Sequence, residues 1–172
     1  DIVLATSGGK AIRFAENTIR STGRKTMGVR GISMSFDDDF VVGMLVVKRD
    51  GSILAATDKG YGKRTDVEAY RTQNRGGKGV YTIKCNDKIG KLVTIMEVVD
   101  TDDIMIITDQ GIMIRQPVEN INIIGRNTQG VRLLKLDEGA KIATITKVLK
   151  DDDDDSDTNN EEEVESGESS EE

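Results

Sequence analysis

The stretch IVLATSGGKAIRFAENTIRSTGRKTMGVR, Ile2 to Arg30, decides the fold because the chain carries it three times. It returns as ILAATDKGYGKRTDVEAYRTQNRGGKGVY from Ile53 to Tyr81 and as IMIITDQGIMIRQPVENINIIGRNTQGVR from Ile104 to Arg132, at a period of 51 residues without gaps. Seven columns are identical: Ile2/Ile53/Ile104, Thr6/Thr57/Thr108, Gly9/Gly60/Gly111, Arg13/Arg64/Arg115, Arg24/Arg75/Arg126, Gly28/Gly79/Gly130 and Val29/Val80/Val131. A fixed period of this length marks one supersecondary unit used repeatedly.

Within each copy an Ile/Val/Leu-rich run reaches TSGG, TDKG or TDQG and then resumes, which predicts a hairpin with the shared glycine in the left-handed position of its turn. A linking segment follows, holding the chain's only proline, Pro117. A further strand is expected to open at Gly-Val (GVRGISM, GVYTIK, GVRLLKL), and an apolar run closes the unit, as in LVTIMEVVDTD. No amphipathic helix of useful length is present. Four short strands per copy predict an all-β chain of three four-stranded propeller blades, at about 1–50, 51–101 and 102–150. Closed propellers use about 4 to 8 blades, so the expectation is part of a larger ring with the remaining blades upstream, in keeping with a sequence that starts in a strand without Met.

The last segment, DDDDDSDTNNEEEVESGESSEE (151–172), has thirteen acidic residues, no basic ones and one apolar side chain, Val164. It is expected to be a disordered tail, since it has too little apolar surface to offset its ordering entropy. Without it, the net charge of −7 becomes +6 for residues 1–150. A flexible polyanion tethered to a basic body is expected to compete with other polyanions for that body, or simply to solubilise it.

The chain has no histidine, which excludes Ser-His and Cys-His catalysis and the commonest metal ligand. Its single cysteine, Cys85, sits in the alternating run VYTIKC and reads as a half-buried strand residue; with no disulfide framework, a reducing cytoplasm is the simplest compartment. No apolar run approaches the roughly 20 residues of a membrane span. The stretch TQNRGGKGV (72–80) looks like a phosphate-binding loop. It lacks the P-loop spacing, however, since Lys78 is followed by Gly79 and Val80, and it lacks the dinucleotide pattern as well.

Two arginine columns stand out as candidate binding residues. Arg13, Arg64 and Arg115 follow the hairpin turn, and Arg24, Arg75 and Arg126 precede the Gly-Val strand, the latter accompanied by Lys25, Arg30, Arg71, Lys78 and Arg132. On radially arranged blades each column becomes an arc of guanidinium groups suited to a curved polyanion. The alternative is that each Arg pairs with a carboxylate of a neighbouring blade, such as Glu68 or Glu119. With three Phe, three Tyr and no Trp the chain is poorly equipped to stack single-stranded bases. Lys and Arg on glycine-bearing loops fit duplex phosphates without sequence readout.

These residues resemble a particular family, the C-terminal domain of the bacterial DNA gyrase A subunit. QNRGGKG (Gln73, Asn74, Arg75, Gly76, Gly77, Lys78, Gly79) is similar to its signature box, with Asn74 in place of a basic residue and in the middle copy rather than a first blade. The resemblance implies a six-bladed β-pinwheel whose blades exchange strands and whose basic perimeter wraps duplex DNA, so that the holoenzyme introduces negative supercoils. By the same resemblance the parent is an ATP-dependent type II topoisomerase of two A and two B subunits, cytoplasmic and nucleoid-associated. ATP and Mg2+ act in that holoenzyme, and no cofactor is expected in this fragment. The family's catalytic tyrosine lies in regions outside this sequence. Tyr70, aligned with Ile19 and Ile121, is therefore expected in the core. Two alternatives remain: the corresponding C-terminal domain of topoisomerase IV, and a protein-binding propeller scaffold.

Overall fold

The structure, a computed structural model, describes residues 1–148; the tail expected at 151–172 lies outside the described residues. Eleven strands run in chain order: β1 (Ile2–Thr6), β2 (Lys10–Phe14), β3 (Val41–Val46), β4 (Ser52–Thr57), β5 (Tyr61–Asp66), β6 (Val80–Tyr81), β7 (Leu92–Val98), β8 (Asp103–Thr108), β9 (Met113–Pro117), β10 (Val131–Arg132) and β11 (Ile142–Val148). Short 3-10 turns at Glu16–Thr18, Val67–Ala69 and Val118–Asn120 follow the hairpins. Pro117 closes β9 and opens the last of these turns, rather than lying in a linker. No helix among the described residues is long and apolar enough to cross a membrane.

The hairpin turns form as expected. Gly9, Gly60 and Gly111 have φ of 81°, 82° and 80°, and each donates its N–H to the carbonyl of the threonine three residues before it. Such positive φ is reached without strain only by glycine.

The sheets exchange strands between copies, as the family resemblance implies and the reading of four strands within each copy does not. Their orders are β3-β1-β2-β6, β10-β5-β4-β7 and β11-β8-β9. The fourth strand of each four-stranded sheet thus comes from the following copy: Val80–Tyr81 pairs with Lys10 and Ala11, and Val131–Arg132 pairs with Tyr61 and Gly62. The third sheet has three strands among the described residues, and the expected strand at Gly28-Val29 of the first copy does not form. Gly79 shows what the exchange requires. Its φ is +67°, and a Cβ there would lie 2.5 Å from the Ala11 carbonyl oxygen, so the crossing chain runs too close to β2 for any side chain.

Alternation along the strands sends opposite faces of each sheet into different cores. Val3, Ala5, Ala11 and Leu45 of the first sheet pack against Ile53, Ala55, Leu92 and Ile95 of the second. Leu54, Ala56 and Val98, on the second sheet's other face, pack against Ile104, Ile106, Ile142 and Ile145 of the third. Each Val, Leu or Ile among them contributes about 1.5–3 kcal/mol on full burial. Tyr70 and Ile121, from the linkers after the hairpins, are fully buried between sheets. The Tyr70 hydroxyl hydrogen-bonds the Thr82 Oγ1, and burial pushes its pKa up. Cys85 is half-buried but lies outside any strand, donating to the Ser7 carbonyl at 3.7 Å, and burial raises its thiol pKa.

Candidate nucleic-acid interface

After the second and third 3-10 turns the chain leaves its own hairpin and crosses to the sheet of the preceding copy, and the same hydrogen bonds recur at both crossings. The Gln73 N–H donates to the Arg13 carbonyl at 2.8 Å, and the Ile124 N–H to the Arg64 carbonyl at 2.8 Å. The Ser33 N–H donates to the Gly77 carbonyl at 2.9 Å, and the Lys84 N–H to the Thr128 carbonyl at 3.0 Å. Residues 20–33, 71–84 and 122–135 are therefore joined edge to edge in copy order. They hold eleven of the chain's 24 Lys and Arg and none of its 31 Asp and Glu.

The second arginine column supplies the joints. Arg75 Nη1 donates to the Arg30 carbonyl at 2.6 Å, and Arg126 Nη1 makes the equivalent bond to the Tyr81 carbonyl at 2.7 Å, with its Nε reaching the Ala69 carbonyl at 3.1 Å. Both side chains are half-buried. Arg24 is exposed and makes no hydrogen bond among the described residues. The glycines of the box are pinned by the first copy: the Gly76 N–H donates to the Gly31 carbonyl at 2.7 Å and its carbonyl accepts from Ser33 Oγ at 2.6 Å. Gly77 lies over Ile12, and Gly79 makes the close crossing described above. Gln73 lines an open cleft of about 510 Å³ with Ala15, Thr18, Arg71, Thr72 and Asn74.

The first column is placed differently. Arg13 pairs with Asp1 at 2.7 Å and with Glu68 at 3.1 Å, and donates to the carbonyls of Val67 at 3.0 Å and Tyr70 at 3.3 Å. Arg64 is only 5% exposed, bonded to the Ile121 carbonyl at 2.6 Å and to Asp100. The expectation that this column faces outward is corrected at these two positions: their guanidinium groups tie each hairpin to the next copy's linker, which is the neighbouring-blade arrangement. Arg115, with no following copy among the described residues, is exposed and paired with Asp103 at 2.7 Å.

Nine cations on the three joined segments are exposed: Arg24, Lys25, Arg30, Arg71, Lys78 and Arg132 from the sequence reading, and three it missed, Arg20, Lys84 and Lys135. The signal for the missed ones was available, because Arg20 aligns with Arg71, and Lys84 with Lys135. Arg132 donates to the Tyr61 hydroxyl at 3.1 Å and lies 5.6 Å from the ring centre, and its hydrogen bond holds the Tyr61 pKa down.

Lys63 was also missed. It is fully buried, and its ammonium donates to the carbonyls of Gly125 at 2.8 Å and Arg126 and to Thr128 Oγ1 at 3.0 Å. Burial, and secondarily the Arg126 guanidinium, lower its pKa to about 8. The equivalent position under the box loop is Ile12, so one loop rests on an apolar side chain and the next on a buried cation.

Known proteins agree with this architecture. The family model described as the DNA gyrase C-terminal domain, β-propeller, matches residues 1–48, 51–98 and 102–148. The DNA gyrase A subunit of Escherichia coli is 43% identical over 148 residues, covering 86% of this chain and 17% of that protein. The DNA gyrase A subunit of Haemophilus influenzae is 38% identical over 179 residues, covering 88% of this chain and 20% of that protein. The chain thus spans about a fifth of the length of these relatives. A solved DNA gyrase A C-terminal domain superposes with a TM-score of 0.76 at 26% identity, over 86% of this chain and 50% of that one. A solved C-terminal domain of DNA topoisomerase IV shares the fold, with a TM-score of 0.78 at 23% identity, over 86% of this chain and 46% of that one. With all three repeats matched by one family model, the chain belongs to the DNA gyrase C-terminal domain family of β-propellers.

Proposed function

We propose that this chain binds duplex DNA through the joined segments 20–33, 71–84 and 122–135, without reading sequence, and bends it along their run as part of a gyrase A subunit. The observation that carries the reading is the acid-free row of nine exposed cations on three segments held edge to edge by repeated hydrogen bonds. Phosphate-contacting loops need exposed Lys and Arg on a rigid support, with no carboxylates to repel the backbone. Arg75, Arg126 and the box glycines act here as that support. Arg20, Arg24, Lys25, Arg30, Arg71, Lys78, Lys84, Arg132 and Lys135 make the phosphate contacts.

Smoothly bending 20–30 base pairs by 40–90° costs on the order of 1–6 kcal/mol, which those contacts offset. In the parent enzyme the bend would present DNA for strand passage and negative supercoiling. Cleavage, ATP and Mg2+ belong to parts of the cytoplasmic, nucleoid-associated assembly with gyrase B and a second copy of gyrase A. The test is to bind the chain to duplexes of unrelated sequence over a salt series, and to nicked circles that are then ligated and deproteinised. Equal affinities, a steep fall with salt and a shifted linking number are expected. Salt-independent binding or strong preference for one sequence would sink the reading.

A further inference from the structure

The loop from Gly125 to Gln129 turns its carbonyls inward. The buried Lys63 ammonium donates to those of Gly125 at 2.8 Å, Arg126, and Thr128 at 3.4 Å. The chain has no cis peptide among the described residues, and in a trans peptide the N–H points opposite to its C=O. The main-chain N–H groups of Arg126, Asn127 and Gln129 are therefore aimed away from Lys63, toward the surface on which Gly125, Asn127, Thr128 and Gln129 are exposed. None of these three N–H groups has a hydrogen-bond partner among the described residues.

Outward N–H groups along one short turn make a concavity that favours an anion. Two positive charges lie beneath this one. Lys63 is fully buried, and the half-buried Arg126 guanidinium is near enough to act on it electrostatically. Both are anchored, Lys63 by the loop oxygens and Arg126 by the carbonyls of Ala69 and Tyr81. Their charge is felt at the surface through the peptide dipoles above them, in a segment that holds no carboxylate. Exposed Lys84 borders the loop, its N–H donating to the Thr128 carbonyl at 3.0 Å.

The box loop differs at the same place. Its Gly76 N–H, equivalent to that of Asn127, is taken by the Gly31 carbonyl, and Ile12 lies beneath it where Lys63 lies beneath the later loop. Lys78, equivalent to Gln129, stays exposed with the next copy's segment joined to its own, so a following copy does not cover this position.

We infer that residues 125–129 form a phosphate-binding site, in which the main-chain N–H groups of Arg126, Asn127 and Gln129 take the oxygens of one phosphate and Lys63 is the positioning residue that holds them outward. The phosphate is assigned to the duplex backbone; that source rests on the DNA-binding reading above, whereas the site itself does not. Uncharged peptide donors grip the backbone without reading bases, and they add a contact that a count of exposed cations leaves out.

Amide NMR spectra of the isotope-labelled 172-residue chain test both parts. Inorganic phosphate added at constant ionic strength should shift the amides of 126, 127 and 129 together, and chloride should not. A short duplex should shift the same three amides. Lys63→Met should abolish these shifts and weaken duplex binding at least about tenfold, the worth of one hydrogen bond to a charged group, with an unchanged far-UV spectrum. Arg71→Gln combined with Lys78→Gln should weaken duplex binding and leave the phosphate response intact. If Lys63→Met fails to fold, the parent decides: three amides that ignore phosphate, or follow chloride equally, overturn the site. Shifts that survive in a folded Lys63→Met overturn the role of Lys63. Amides that respond to phosphate while a bound duplex leaves them unmoved overturn the assignment to DNA. A chain that binds no duplex yet keeps the three phosphate shifts refutes the DNA-binding reading and supports the site.

Discussion

Replacing Arg71 and Lys78 together by Gln removes two exposed cations that make no hydrogen bond among the described residues, so their loss changes charge and leaves packing intact. Each phosphate contact contributes about −0.9 to the slope of log affinity against log salt. If all nine exposed cations of the joined segments engage, the slope is about −8, and the affinity falls about 10⁵-fold between 50 and 200 mM salt. The double variant should show a slope near −6 and a fall of about 10⁴-fold over the same range. Fluorescence anisotropy with a labelled duplex long enough to span three copies reads both numbers. Its melting temperature should stay within about 1 °C of the parent's, as expected for solvated side chains. Arg75→Gln provides the contrast: it removes the bond to the Arg30 carbonyl, costs about 1 kcal/mol, and lowers the melting temperature by about 2–4 °C. A double variant with the parent's slope would refute the assignment of Arg71 and Lys78 to phosphate contact. A double variant that melts early with its slope unchanged would make them structural.

Three further outcomes test the supports of the site. Lys63 has a folded pKa of about 8, below its unfolded value near 10.4, so the unfolded chain holds the extra proton between those pH values and stability rises with pH across that window. Urea unfolding at pH 7.5 and 10 should show the parent gaining about 2 kcal/mol relative to Lys63→Met, and parallel profiles would exclude the buried ammonium as the cause. Tyr70→Phe and Thr82→Val should each cost about 1–3 kcal/mol because each strands a buried hydroxyl, while the double variant costs less than the sum; additive losses would mean the two hydroxyls are not coupled. Gly79→Ala, with its Cβ driven to 2.5 Å from the Ala11 oxygen, should cost at least about 2 kcal/mol more than Gly139→Ala, which has a similar positive φ but nothing within 4 Å. Equal losses in denaturant midpoint would locate the cost in backbone conformation alone.

The hairpins, their glycines, the buried Tyr70 and the all-β class were legible because each is a local pattern or an aligned column. Strand ownership was legible only through the family resemblance, since the repeat read by itself puts all four strands in one copy. In a perfect repeat, a Gly-Val strand has the same sequence whether it completes its own sheet or the preceding one, and the choice is made by the linker path after Val67–Ala69. The inward role of Arg13 was legible as the alternative of pairing with Glu68, but the carbonyls at Tyr70 and Ile121 that also hold Arg13 and Arg64 leave no mark in sequence. Lys63 escaped notice for a related reason. It occupies a column with Ile12 and Ile114, and only the fold reveals that it faces the oxygens of residues 125, 126 and 128.

Because every four-stranded sheet is finished by the next copy, the unit that must remain mutually compatible through evolution is the junction, not the repeat. Gly62 with Leu133, and Lys63 with the carbonyls of 125 and 126, are side chains and loops of different copies that must vary in concert. Drift inside one copy is therefore constrained by its successor, more than one period downstream. A whole copy can be duplicated or deleted with the other junctions undisturbed, provided the two copies brought together at the new seam fit. Ring size is then open to change in single steps, while the seam retains the memory of which copies have long been neighbours.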